Sequence, residues 1–398
     1  MPSDLDVVVL GGAGHVGLPL SLAFADAGLR IGIYDLSQPT LNRIASGEMP
    51  FLEAGAEELL ANVLETGRLE MSTDGSILGR THQIVVVIGT PVDEFLAPSM
   101  TVFERAVNQI APHLRSGSLV VLRSTVYPGT TAYVGQRLSA MGCDADVAFC
   151  PERIAEGHAL EELRTLPQIV GADNARAAQR AELLFRRLTP TTIRTTSKEA
   201  ELAKLFTNTW RYMKFAVANQ FFMIADQAGI DYTNVLNAIR TDYPRAADLP
   251  GPGFAAGPCL FKDTMQLAAF TSDHFPLGQA AMQVNEGLPA YIVSALERRY
   301  GGLTGKTIGI LGMAFKAESD DVRASLSYKL RKLLAWAGAH VVCTDPYVSD
   351  ERLTTLECVL EESEILILGA PHKAYRGLEI GGKDLVDVWG ALGQGIAL

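Results

Sequence analysis

The sequence predicts an α/β protein with two doubly wound parallel-sheet domains joined by a central, all-helical domain that contains a long spine helix. Three observations predict it. Short β runs alternate with amphipathic stretches over roughly the first 190 residues, a pattern of parallel strands covered by helices on both faces. One helical stretch of more than 30 residues, Ser197 to Gly229, then breaks that rhythm. From Gly305 the alternation returns. The boundaries read from this are 1–195, 196–300 and 301–398.

In the first domain, strands are expected at Val7–Leu10, Arg30–Tyr34, Ile84–Ile88, Leu119–Leu122, Val147–Phe149 and Gln168–Val170. The helix after the first strand runs from Gly17 to Ala27 and stops at Gly28, a residue suited to follow a helix end. Ser197 is placed to cap the long helix, with Glu199 and Glu201 in its first turn, where the dipole favours acids. Past Trp210 that helix is hydrophobic nearly all round, which predicts a buried spine between domains and across a dimer. Further helices continue to about Tyr300, interrupted by a Pro/Gly loop at Pro250–Pro258. In the last domain, strands are expected at Thr307–Leu311, His340–Thr344 and Ile365–Gly369 and near Leu385–Val388. Helices are expected near Leu326–Ala337 and Glu351–Glu361.

Composition narrows the function. A chain of 398 residues with 48% hydrophobic and 20% charged residues has the makeup of a well-cored protein. No apolar run approaches the ~20 residues that span a bilayer, and the start carries no export signal, so a cytoplasmic protein is expected. Five scattered cysteines without a C-x-x-C pair suit a reducing compartment and predict no metal site. The net charge of -11, with no basic stripe, disfavours nucleic acid as a partner. An anionic ligand therefore needs a local convergence of Lys and Arg.

The first strand runs into G-x-G-x-x-G, as Gly12, Gly14 and Gly17, with His15 and Val16 inside it. Such a loop gives a tight turn, close backbone approach to a pyrophosphate and a helix N-terminus facing its charge. Asp35 ends the second strand 23 residues beyond Gly12, where a carboxylate bonds the adenosine ribose. An Asp there repels a 2′-phosphate, so NAD is the expected cofactor and the domain reads as Rossmann-like. Thr90 and Thr125 follow later strand ends and are candidate cofactor contacts, although each is equally placed to cap the helix that follows.

Cys259 is the candidate nucleophile. A Gly/Pro loop, Gly251 to Pro258, presents it at the start of a helix, with Lys262 one turn on, and both features stabilise a thiolate. Asp263 adds a carboxylate on the same face that can hold a water. The other four cysteines read as packing residues. Lys204, Asn208 and Arg211, at i, i+4 and i+7, share one stripe of the long helix. That stripe is either a solvated face or a site for a polyhydroxyl, anionic ligand. Glu152 and Arg153 follow a strand end, as a candidate base and an anion contact or as plain loop residues.

Taken in order, these blocks resemble the nucleotide-sugar 6-dehydrogenase family, which acts on UDP-glucose, GDP-mannose or UDP-N-acetylhexosamines. The resemblance covers almost the whole chain. It implies an N-terminal NAD-binding domain, a central helical domain that forms a homodimer, and a C-terminal nucleotide-binding domain. It implies Cys259 as nucleophile, Lys204 and Asn208 as holders of the sugar and its oxyanions, and Thr125 and Glu152 as supports for thioester hydrolysis. The block Phe315-Lys316-Ala317-Glu318-Ser319-Asp320-Asp321-Val322-Arg323 matches a family motif whose lysine meets the diphosphate. Arg323, with Lys262, then belongs to the cofactor side. Phe315 and Gly257 join Lys316 on the substrate side. The implied reaction is a four-electron oxidation of a C6 alcohol, using two NAD and passing through a Cys259 thiohemiacetal and thioester.

Glu152-Arg153-Ile154, Asn208 with Arg211, and Tyr243-Pro244-Arg245 resemble the N-acetylhexosamine branch. That makes Arg153, Ile154, Arg211, Tyr243 and Arg245 candidate substrate contacts, with UDP-N-acetylmannosamine or UDP-N-acetylglucosamine as leading substrates. The chain departs from the pattern at Ala155-Glu156-Gly157, at Ala255-Ala256 where glycines are common, and at Pro258. The competing readings are a UDP-glucose or GDP-mannose dehydrogenase, a two-electron hydroxyacid dehydrogenase, and a non-catalytic nucleotide-sugar sensor.

Overall fold

A computed structural model describes residues 4–89, 100–255, 257, 259–272 and 274–393. Thr90, Ala256 and Pro258 lie outside the described residues. The chain divides into two compact units, one up to Thr207 and the other from Asn208 onward, and the division falls within the spine helix Ser197–Gln227.

The first unit is built on an eight-stranded sheet. Its strands are β1 (Val7–Leu10), β2 (Ile31–Tyr34), β3 (Leu69–Ser72), β4 (Gln83–Val86), β5 (Ser118–Leu122), β6 (Ala145–Phe149), β7 (Gln168–Gly171) and β8 (Thr192–Thr195). They lie in the order β3-β2-β1-β4-β5-β6-β7-β8. All pairs are parallel except β6 with β7, which meet antiparallel at Phe149 and Gly171. Side chains alternate faces along a strand. Val7, Val9, Ile31, Ile33 and Val85 thus enter one hydrophobic cluster, and Val8, Leu10, Ile84 and Val86 enter the other. Burial on both faces is why the central strands are continuous apolar runs. The order reverses beside β1, between β2 and β4, which opens a crevice at the carboxyl ends of β1 and β4.

The spine helix corrects one expectation. Its N-terminal cap is Thr196, not Ser197. The Thr196 N–H donates to the Glu199 carboxylate at 2.9 Å, and the Glu199 N–H donates to Thr196 Oγ1 at 3.3 Å, a reciprocal capping box. Ser197 instead donates from its N–H and hydroxyl to Asp173. In the single chain Trp210, Val217, Phe221 and Ile224 of this helix are exposed.

The second unit contains the rest of the spine helix, helices Tyr232–Arg240, Leu260–Phe270 and Pro276–Tyr300, and a four-stranded parallel sheet. Its strands are β9 (Thr307–Leu311), β10 (His340–Thr344), β11 (Ile365–Leu368) and β12 (Asp384–Val386), in the order β10-β9-β11-β12. One apolar cluster joins Leu288 and Ile292 of the helix Pro276–Tyr300 to Ile308 and Ile310 of β9. Phe254, from the loop before Cys259, is buried in the same cluster. Among the described residues, no helix is long and apolar enough to cross a membrane.

Candidate active site

The glycine loop sits at the carboxyl end of β1. Its left-handed residue is Gly11 (φ 76°), so the tight turn belongs there and not to Gly12. A Cβ at Gly12 would meet Ile33 Cγ2 and Val9 O at 2.9 Å, and one at Gly17 would meet Gly11 O at 2.3 Å. These two glycines serve close packing. At Gly14 a Cβ would find nothing nearer than Gly11 O at 3.8 Å, which leaves the loop's outer surface clear for a ligand. Asp35 accepts from the Ala13 N–H and the Ser37 N–H, each at 3.1 Å, so its carboxylate stands at the loop's edge. Phe51, which carries no sequence signal, stacks on the His15 ring with centroids 4.2 Å apart. An open loop at a helix N-terminus beside an aspartate fits an adenine dinucleotide without a 2′-phosphate.

Thr125 and Glu152 follow the carboxyl ends of β5 and β6. Thr125 is half-buried, and its neighbour Ser124 accepts from the Ile88 N–H at 2.8 Å, which ties the β5 loop to the β4 loop. Both oxygens of Glu152 are engaged. One accepts from the N–H groups of Arg153 (2.7 Å) and Ile154 (3.0 Å), and the other pairs with Arg123. Arg123, 1% exposed, also donates to the Cys150 carbonyl and to Gln168, and lies over the Phe185 ring at 4.8 Å.

Two more carboxylates hold the loop that follows. Glu162 accepts from the Ala155 N–H at 2.5 Å, and Glu53 accepts from Gly157 and Ala159 at 2.8 and 2.7 Å. The Arg153 guanidinium donates to the Pro167 carbonyl, and Ile154 is half-buried. Lys204 is buried on the spine helix at 9% exposure.

In the second unit, Cys259 is exposed and is the N-cap residue of the helix Leu260–Phe270. The other cysteines differ. Burial pushes the thiol of Cys150 up to about 12 and that of Cys343 up to about 11, while Cys143 and Cys358 are half-buried. Asp263, wholly buried, accepts from the Asn208 side-chain amide at 2.5 Å through Oδ2. Its Oδ1 accepts no hydrogen bond among the described residues, and Lys262 Nζ lies 3.5 Å away. A buried carboxylate oxygen with spare capacity is an acceptor site for a water.

The loop ahead of Cys259 is anchored at both ends. Buried Asn219 accepts from the Gly253 N–H at 2.8 Å, donates to the Gly253 carbonyl at 3.0 Å, and donates to Asn285 at 2.9 Å. Gly257 (φ 100°) lies so close to Phe315 that a Cβ would meet the ring at 2.7 Å. The structure thus brings together Asn208, Asp263, Lys262 and Cys259, and separately Gly257 and Phe315. Arg211, Tyr243, Arg245 and Arg323 are exposed, and Lys316 is half-buried. Arg323 pairs with Asp321 at 2.5 Å, and Arg245 lies 5.8 Å from the Tyr243 ring centroid. Glu53 and Asn219 have no motif around them and act across the fold, while Arg123 opens the block Arg123–Thr130, in which spacing pointed only to Thr125.

The first sheet and its glycine loop define a dinucleotide-binding α/β protein. Three sequence models extend this along the chain. They describe the NAD binding domain (residues 6–189), the central domain (198–287) and the UDP binding domain (309–393) of the UDP-glucose/GDP-mannose dehydrogenase family. The UDP-N-acetyl-D-mannosamine dehydrogenase of Pyrococcus horikoshii is 30% identical over 385 residues, covering 94% of this chain and 90% of that protein. A UDP-glucose dehydrogenase structure from Pyrobaculum islandicum matches with a TM-score of 0.92 at 30% identity, covering 98% of this chain and 96% of that one. A UDP-D-ManNAc dehydrogenase structure from P. horikoshii gives 0.89 at 29%, covering 96% and 95%. The chain belongs to the UDP-glucose/GDP-mannose dehydrogenase family and is an NAD-dependent dehydrogenase.

Proposed function

We propose that this enzyme oxidises the C6 alcohol of a UDP-N-acetylhexosamine, UDP-N-acetyl-D-mannosamine or its gluco isomer, to the uronic acid through Cys259. The observation that carries this reading is the contrast among cysteines. Cys259 is exposed at a helix N-terminus while Cys150 and Cys343 are buried thiols. A helix N-terminus and Lys262 on the next turn both favour a thiolate.

NAD bound at the glycine loop would supply the hydride acceptor, a fresh molecule for each of the two oxidations. Between them the Cys259 thiolate adds to the C6 aldehyde, and the thiohemiacetal so formed becomes a thioester. Water then cleaves the C–S bond, releasing the carboxylate and restoring the thiol. Covalent capture keeps the aldehyde from escaping. Lys204 and Asn208 stabilise the oxyanions, and Thr125 supports hydrolysis. Asp263, with one oxygen open, positions the water. Glu152, bound on both oxygens, holds its loop in place. We assign Gly12, Gly14, His15, Val16, Gly17, Asp35, Thr90, Lys262 and Arg323 to the dinucleotide. Arg153, Ile154, Arg211, Tyr243, Arg245, Gly257, Phe315 and Lys316 receive the UDP-sugar.

The choice of sugar rests on Glu152-Arg153-Ile154 and Tyr243-Pro244-Arg245, and the names of the Pyrococcus relatives favour the same branch. The Pyrobaculum structure keeps UDP-glucose as the second reading. We also assign three functional domains, 1–195, 196–300 and 301–398, and a homodimer. The spine helix displays Trp210, Val217, Phe221 and Ile224, at spacings of seven, four and three residues, as one exposed apolar stripe. Five free cysteines suit a cytoplasmic setting.

A Cys259→Ala variant tests the reading. It should bind NAD as the parent does and form no uronic acid from UDP-N-acetyl-D-mannosamine. Acid production at the parent's rate would remove Cys259 from the mechanism.

A further inference from the structure

Glu201 is a wholly buried carboxylate that the mechanism above does not use. Its Oε2 accepts from the Gly129 N–H at 2.6 Å, and its Oε1 accepts from the Thr131 N–H at 2.8 Å and the Thr131 hydroxyl at 2.6 Å. These donors open the helix Thr130–Ala140, whose N-cap, Gly129, has no side chain to cap it. Glu201 thus caps that helix from another element, placing negative charge where the first-turn N–H groups lack partners. Among the described residues no Lys or Arg pairs with it. Burial raises its pKa, and the three donors pull the other way.

We propose that Glu201 is a positioning residue that fixes the Thr125 loop against Lys204. Thr125 lies in the short connection from β5 to the helix Thr130–Ala140. That connection is held at its start by Ser124, bonded to the Ile88 N–H, and at its end by Glu201. Lys204 follows Glu201 by three residues on the same helix, so the two side chains rise from adjacent turns. The carboxylate converts the rigidity of the spine helix into a fixed place for the threonine. The inference rests on the roles given above to Thr125 and Lys204. A loop released by even ~1 Å misplaces a reacting group enough to cost up to about 100-fold in rate.

The test uses the full-length enzyme with NAD and UDP-N-acetyl-D-mannosamine, comparing parent, Glu201→Gln, Thr131→Val and Thr125→Ala. Glutamine keeps the shape but turns a donor towards one backbone N–H. For Glu201→Gln, kcat should fall about tenfold while the KM for NAD stays within about twofold. Intact-mass analysis during turnover should find more enzyme carrying sugar on Cys259, because hydrolysis has slowed. Thr131→Val, which loses only the hydroxyl bond and guards against misfolding of the first variant, should move both readouts the same way by about threefold. A lowered Tm with the parent's kcat and adduct level would make Glu201 merely structural and overturn the proposal. If Thr125→Ala slows hydrolysis and Glu201→Gln does not, Glu201 alone is wrong. If Thr125→Ala leaves hydrolysis untouched, the role of Thr125 falls and the proposal with it.

Discussion

At the residue scale, the proposed chemistry turns on one carboxylate and one sulfur. Asp35, bonded to the Ala13 and Ser37 N–H groups, is fixed at the edge of the glycine loop, and its proposed role is to meet the adenosine ribose. Asp35→Ala should weaken NAD about tenfold, the ~1.4 kcal/mol of a good hydrogen bond to a charged group, as read by calorimetric titration. An unchanged Kd would remove Asp35 from the cofactor site. The cysteines separate by burial. With thiols raised to about 12 and about 11, Cys150 and Cys343 stay protonated at pH 8, and only thiolates alkylate. Brief iodoacetamide treatment followed by peptide mass mapping should label Cys259 and leave those two unmodified. Labelling of Cys150 ahead of Cys259 would contradict the assignment.

At the scale of elements, the spine helix carries the most information. Its capping box at Thr196 and Glu199 predicts that Thr196→Ala costs about 1 kcal/mol, measured by denaturant unfolding. Sequence located this helix to within two residues at its end, because Gly229 (φ 66°) stops it. It missed the cap by one position, since adjacent Thr and Ser residues offer the same chemistry and only Asp173, distant in sequence, claims Ser197. Two strands, β3 and β8, were not legible at all. Their residues, Leu-Glu-Met-Ser and Thr-Ile-Arg-Thr, are half-buried or exposed at the sheet's two edges. An edge strand lacks the continuous apolar run that exposed the central ones. The site divides the same way. The glycine loop, Asp35, Cys259 and Asp263 are candidates that local spacing marks. Glu53, which holds Gly157, bridges about 100 residues and leaves no local trace.

At the scale of the molecule, the exposed apolar side chains along the spine helix are the surface on which the proposed homodimer rests. A charge placed in that stripe should break the proposed dimer. Phe221→Glu is expected to elute as a monomer in size-exclusion chromatography with light scattering, whereas a parent that is itself monomeric would refute the assembly. The central claim concerns electrons. Counting NADH released per UDP-N-acetyl-D-mannosamine consumed, under limiting sugar, tests it most directly. Capture of the aldehyde on Cys259 predicts two NADH for each sugar, and one NADH with free aldehyde as product would contradict it.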